Sequence, residues 1–480
     1  MTITRTWQTR RLLVRAWQAL LSLDIPQAAR LTIRLELENH TTTALTAALL
    51  ALRDDSTAAL AQAQRALQSC SDVESRALAA MICRWAYWRA GELNEFHNTI
   101  RAEWRAGLHR CRAITTIFDL NLEAAVEFGR LRLAVSRKLA TEALERARAT
   151  ACSESAAGLL SAALLTQVAY EEGQLEEAGL AIRNRMSMIR TSATVECITL
   201  AYLILARLAR RSDSALTLLR EAQALGEQRR WPRLVAAMLA ERIRILMDDN
   251  EEADAASSLL DLETLVRSQQ TLGASARAGL EFEYEFAQLR VRQRQVAAAQ
   301  TASGAESLRQ KAPARSDLRL ALEIHLVAVA AYARCGEIFE AQTRLIDALD
   351  VGATHGLCMT FVDAGPVVRK LLDELCHDPS ISDDHVLELR PYMHTLLARY
   401  PVSPRPARSV RRASRKPLTP REGNVLRLIA SGLSNKRIAQ RLDIAPETVK
   451  SHTKNIFMKL AAQTRAQAVA QGEALGLIHN

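Results

Sequence analysis

The stretch Ala331 to Leu345, AYARCGEIFEAQTRL, decides how this chain is read. An alanine-rich apolar run stops at Gly336, an acid follows, and a second alanine-rich run begins at once. Glycine ends helices well because it enters the left-handed region without a Cβ penalty. The theme recurs as AYWRAGELNEF around Gly91, AYEEGQLEEAGLAI around Gly173 and LMDDNEEADAASSLL near Asn250, with weaker turns near Asp54, Gly129, Ser212 and Gln293. The interval is roughly 40 residues, the size of a two-helix unit in a helical solenoid. One helix pair cannot bury its own apolar face, so stacked neighbours must build a continuous core. The alternative is an irregular helical domain whose alanine-rich helices imitate a repeat.

Working outward, 480 residues exceed one ordinary core. Eighteen glycines, 12 prolines and 4% aromatics leave little material for strands and their turns, so the expected class is all-α. The most apolar runs, Ala156 to Ala169 and Cys197 to Ala206, fall short of the ~20 residues that span a bilayer and read as buried helices. No membrane partner is expected. The N-terminal arginines Arg5, Arg10, Arg11 and Arg15 interrupt any secretion signal. Eight scattered cysteines without a Cys-x-x-Cys pair read as reduced thiols in a cytoplasmic protein.

Charge is uneven. Residues 401–480 hold 15 Lys and Arg against 4 Asp and Glu, so a near-neutral body carries a strongly basic tail. Such asymmetry points to nucleic acid or an anionic surface as a partner of that end. The boundary is marked by PVSPRPARSVRRASRKP, residues 401–417, a proline- and arginine-rich stretch expected to be an extended tether. Its arginines also suit phosphate once the neighbouring domain docks.

Within the body, the turn sequences resemble tetratricopeptide units, in which a small residue precedes Gly and an Ala a few positions later lets helices pack closely. Ala178 and Ala341 hold that later position. From Gly336 the chain resembles the last repeat of the MalT-like regulators, carried by Gly356, the Phe361-Val362-Asp363-x-Gly365 segment, and Leu371 with Leu372. The resemblance implies that residues 1–400 form a helical sensor domain ahead of a DNA-binding tail.

Residues 418–480 open with LTPREGNVLRLIASGLSNKRIAQRLDIAPETVKSHTKNIFMKL, which reads as three helices. Thr419 and Glu422 form a capping box with Pro420 at the first helical position. Val425, Leu426 and Ile429 supply a buried face, and Gly432 ends the helix. Ser434 caps a second helix with Ile438, Ala439 and Leu442 inward. A turn at Asp443 leads to Pro446, which opens the third. There the helical period places Val449, Thr453, Ile456 and Leu460 inside, and Glu447, Lys450, Ser451, Lys454, Asn455 and Met458 outside. A short helix with a polar, basic outer face, held by another across a tight turn, fits a major groove. Lysine and serine near its start suit base edges, whereas Lys436, Lys459 and Arg465 suit phosphate.

This domain resembles the LuxR-type helix-turn-helix over its whole length, through LTPRE, SNKRIAQRL, TVKSH, Asn455 with Ile456, Arg465, Ala468 with Val469, and the closing LGLI. The resemblance implies that Lys450, Ser451 and Lys454 read bases, and that Lys436, Thr448, Asn455, Lys459 and Arg465 contact or position phosphates. It also implies a fourth helix, with Thr464 and Gln467 as its capping box, that pairs two copies on DNA. Double-stranded promoter DNA and RNA polymerase are the implied partners. Three departures stand out: Ala445 for the usual capping Ser, Gly423 inside a helix, and Ala461 for an expected Gly. The first two would each cost roughly 1 kcal/mol.

MalT-like regulators usually carry an ATP-hydrolysing domain ahead of the repeats, but no Gly-x-x-x-x-Gly-Lys-Ser/Thr occurs in this sequence, nor Gly-x-Ser-x-Gly or His-Glu-x-x-His. No cofactor, catalytic residue or metal is expected. His355, Cys358, Cys376 and His377 read as packing residues, since adjacent Cys376 and His377 diverge by ~100° on a helix. The expected function is a DNA-binding regulator whose repeats receive an unknown small-molecule or protein effector. The alternative is a repeat scaffold with only non-specific nucleic-acid affinity.

Overall fold

The computed structural model describes residues 25–37, 42–101, 110–209, 212–270, 272–292, 298–311, 316–378, 383–400, 420–431, 433–442 and 444–459, with isolated positions 12, 15, 16, 19, 465, 468 and 469. Every regular element among them is a helix. The chain divides into two compact units, one of residues 1–248 with 252–402 and one of residues 403–480 with 249–251.

The first unit begins with α1 (Ile25–Leu37), α2 (Thr43–Leu52), α3 (Ser56–Ser69), α4 (Val73–Ala90), α5 (Leu93–Asn98), α6 (Arg110–Gly129) and α7 (Leu133–Ala149). It continues through α8 (Ala156–Glu171), α9 (Leu175–Arg183), α10 (Met186–Ser192), α11 (Val195–Leu208), α12 (Ser212–Arg229), α13 (Pro232–Asp248) and α14 (Glu252–Ser268). It ends with α15 (Ala274–Arg292), α16 (Ala298–Arg309), α17 (Leu318–Arg334), α18 (Ile338–His355), α19 (Met359–Val362), α20 (Pro366–His377) and α21 (Asp384–Arg399). The second unit holds α22 (Pro420–Ala430), α23 (Asn435–Leu442) and α24 (Pro446–Lys459).

One turn recurs through the first unit. Gly91, Gly173 and Gly336 are left-handed, at φ 74, 81 and 84°. The next amide in each case donates back to the carbonyl five residues earlier: Glu92 to Tyr87 at 2.9 Å, Gln174 to Ala169 at 2.8 Å and Glu337 to Tyr332 at 3.0 Å. That bond satisfies carbonyls which the helix end leaves open. Asp54 and Leu131, also left-handed, carry the same bond, from Asp55 to Leu50 at 3.0 Å and from Arg132 to Glu127 at 2.9 Å. Positions 54, 91, 131 and 173 recur at roughly 40 residues, with or without glycine, and the same turn also stands at Ala151 and Arg230. Ala178 and Ala341 are fully buried, as close approach of helices requires. The expected turn near Gln293 lies outside the described residues.

The core runs along the path in overlapping clusters, the largest spanning Ala124 to Val291 and flanked by one before residue 127 and one extending to Tyr400. The apolar runs read as buried helices are α8 and α11, and both are largely buried. Among the described residues no helix is long and apolar enough to cross a membrane. Helix α15 returns to touch α3 and α4, and α17 touches α6. The path therefore curls on itself around a cavity of about 680 Å³.

The Phe361-to-Gly365 segment closes the far end. Phe361 is fully buried, and its carbonyl accepts from the Tyr400 hydroxyl at 2.7 Å. The Asp363 carboxylate accepts from the Tyr170 hydroxyl at 3.0 Å and from Arg207 at 3.1 Å. Gly365 has φ 93°, a conformation that L side chains rarely adopt, so the backbone there calls for glycine.

Beside this segment Glu171 accepts from the amides of Cys358 at 3.2 Å and Thr360 at 2.9 Å. Burial pushes its carboxyl up to about 7, against the opposing pull of Arg319 and the Thr360 amide. A carboxyl raised in the folded state stabilises below its unfolded value and loses that contribution as pH rises through the folded value. Parent protein and Glu171→Gln should therefore be equally stable near pH 4.5. By pH 8 the variant, which keeps the amide acceptor, should be ahead by roughly 3 kcal/mol. Denaturant titrations at the two pH values check this, and a gap that does not change with pH would count against it.

Candidate nucleic-acid interface

The second unit packs α24 against both α22 and α23. Val425, Leu426, Ile429, Ile438, Ala439, Val449, Ile456 and Ala468 form its buried core, with Leu442 and Val469 partly buried against it. Val449 and Ile456 are fully buried, and Thr453 is half-buried with its hydroxyl bonded to the Val449 carbonyl at 2.8 Å. The inward face of α24 is thus the expected one as far as it is described; Leu460 lies outside.

The outward face carries Glu447, Thr448, Lys450 and Ser451, all exposed. The Lys450 ammonium pairs with Glu447 at 2.9 Å. Both side chains stand in water, where such a pair contributes ~1 kcal/mol at most, so Lys450 can leave it for a stronger acceptor. Lys436 is exposed on α23. Lys454, Asn455 and Lys459 belong to α24, but their side chains lie outside the described ones. Arg465 is committed within the domain: it donates to the Asn435 side chain at 3.0 Å and to the Leu433 carbonyl at 2.7 Å. It ties the chain beyond α24 to the start of α23, which is a positioning role.

The helix ends differ in quality. Pro420 opens α22 as expected, and Glu422 is buried, while Thr419 lies outside the described residues. Ser434 reaches the Arg437 amide only at 3.5 Å. At Ala445 the backbone carbonyl takes the Thr448 amide at 2.9 Å, with no side chain to cap the amides that follow. A Cβ on Gly423 would meet nothing within 4 Å, so no close contact calls for glycine there. Gly432, Asp443, Ala461, Thr464, Gln467 and the closing LGLI lie outside the described residues, as does the 401–417 tether.

Residues 40–378 match the family described as the MalT-like TPR region, and residues 416–471 match the bacterial regulatory proteins of the luxR family. The chain belongs to the MalT-like family. Its similarity to curated MalT-like relatives is concentrated in short stretches. It is 32% identical over 157 residues to the HTH-type transcriptional regulator MalT of Vibrio cholerae, covering 29% of this chain and 17% of that protein. It is 49% identical over 59 residues to the regulators of the same name from Vibrio campbellii and Yersinia pestis, covering 12% of this chain and 6% of theirs.

The metal reading also meets the structure. Cys358 is buried, and His355 is exposed. Adjacent Cys376 and His377 do come together, with His394, so that one ligand atom from each lies within 4.8 Å of the others. The sequence argument missed this because α21 supplies the third member from across the helix pair. Burial raises the Cys376 thiol, which opposes the thiolate that a metal needs. His377 already bonds the Asp373 carbonyl at 3.0 Å.

Proposed function

We propose that this MalT-like chain is a DNA-binding transcriptional regulator that acts by binding rather than catalysis. In this reading residues 1–400 sense a small molecule or protein partner, 401–417 tether, and 418–480 bind promoter DNA in the major groove. Lys450, Ser451 and Lys454 read bases. Lys436, Thr448, Asn455, Lys459 and Arg465 contact or position phosphate. Two copies share one site, RNA polymerase is the downstream partner, and the setting is the cytoplasm.

The observation that carries this is the division of α24 into a buried side at Val449 and Ile456 and an exposed side at Thr448, Lys450 and Ser451. A rigid small domain presenting such a face can enter the major groove, where donor and acceptor patterns distinguish the base pairs. Mapping of bound sites across the source genome tests it. Discrete promoter peaks, lost when the chain is ended at residue 400, are expected. Diffuse occupancy without peaks would instead favour a scaffold with non-specific affinity.

A further inference from the structure

Inside the first unit the curled repeats line an open-sided cavity of about 680 Å³ with a largely apolar wall, including Trp85, Phe118, Leu160 and Leu164. That volume suits a small organic molecule. The polar groups in the wall are unequal. Arg233 is held by Asp54 at 2.6 Å and Glu196 at 2.7 Å, and Arg319 by Glu323 at 2.5 Å. Arg229 bonds the Arg190 carbonyl and lies over Trp231, with its guanidinium 4.9 Å from the ring centroid.

Arg89 is different. It lines the cavity from the last turn of α4, with its guanidinium 5.8 Å from the Trp88 ring centroid. No carboxylate among the described residues lies within ion-pairing distance of it. Burial and the neighbouring Arg233 push its ionisation down to about 10 against the opposing pull of Asp54, Glu196 and Glu283, so it remains a cation at neutral pH. Arg89 is half-buried and no carboxylate touches it directly, so its fork is free to take an arriving carboxylate in a two-pronged pair. Glu283, on α15, also lines the cavity, and burial raises its carboxyl.

Resting on the reading of the repeats as a sensor, we infer that this cavity binds a small organic carboxylate with an apolar, ring-sized body, its carboxylate on Arg89 and its body against Trp85 and Phe118. The apolar wall supplies affinity, and the Arg89 guanidinium selects charge.

The test uses the full chain with 1-naphthaleneacetate and its uncharged amide, followed by calorimetry and by tryptophan fluorescence, since Trp85, Trp88 and Trp231 line the cavity. The carboxylate should bind at least tenfold more tightly than the amide, and Arg89→Gln should abolish that preference. The variant should melt close to the parent, because no carboxylate is ion-paired directly with Arg89; a structural arginine would lose much stability instead. Arg89→Lys should restore part of the preference. Equal binding of the two probes, or no binding of either, would overturn the inference. Probe binding that leaves DNA affinity unchanged would support the cavity and count against the sensing role.

Discussion

Glu241→Gln is expected to cost the repeat body about 3–5 kcal/mol at neutral pH. Glu241 is 3% exposed and sits between two guanidiniums. Arg207 donates to both of its oxygens at 3.1 Å, and Arg244 donates to Oε1 at 3.1 and 2.6 Å. Arg207 also reaches Asp363, and Arg244 reaches Asp248 and the Asp363 carbonyl, so α11, α13 and the segment after α19 meet at this carboxylate. Glutamine keeps the volume but removes the charge and turns an amide donor toward a guanidinium, leaving two buried cations with less compensation. Burial alone would raise the Glu241 carboxyl, yet Arg207 and Arg244 outweigh it and hold the group well below the usual range. A carboxyl depressed by folding contributes stability above its unfolded value, near 4.5, and loses it as pH falls. The gap between parent and variant should be full at pH 7 and shrink below pH 4.5. Guanidinium titrations followed by far-ultraviolet circular dichroism check both statements; unchanged midpoints at pH 7 would show that the network carries no net stability.

The second large effect lies at α24, the helix proposed to enter the major groove. Lys450→Ala combined with Ser451→Ala should lower affinity for a selected site by roughly 10- to 100-fold, the range for losing a base contact worth about 1–3 kcal/mol. Random duplex should lose far less. Neither residue packs in the core, so the fold of the second unit should survive, and its melting temperature provides the control. Lys436→Ala, by contrast, should weaken all sequences alike and reduce the salt dependence by about one unit, as loss of a phosphate contact does. Equal losses on selected and random DNA for the double variant would remove Lys450 and Ser451 from base reading.

Much of the architecture is legible because helix ends leave marks. Gly91, Gly173 and Gly336 announce their turns, and the period of Val449 and Ile456 fixes which side of α24 is buried. Leu131 and Ala151 sit at left-handed positions without any such mark, since nothing in leucine or alanine signals that backbone. The buried network is half-visible. Asp363 belongs to a motif that resembles a known pattern, but Arg207 and Glu241, 34 residues apart, look like ordinary surface charges until the helices stack. Arg89 is hidden by its own surroundings: it stands two residues before Gly91, inside a stretch that reads simply as a repeat turn. In the DNA-binding unit, Lys450 and Ser451 are exposed as the helical period requires. Arg465 bonds Asn435 and Leu433, partners 30 and 32 residues away that the sequence does not announce. A charge shows in sequence, but its partner depends on tertiary contacts that sequence spacing does not display.

The most direct measurement is an equilibrium competition between a duplex selected from a random pool by the full chain and an unselected duplex, at one stated salt concentration. The account predicts a preference of at least ~10³ for the selected sequence, most of it lost in the Lys450→Ala, Ser451→Ala protein. Equal affinity for the two duplexes, or a preference that survives the double substitution intact, would contradict it.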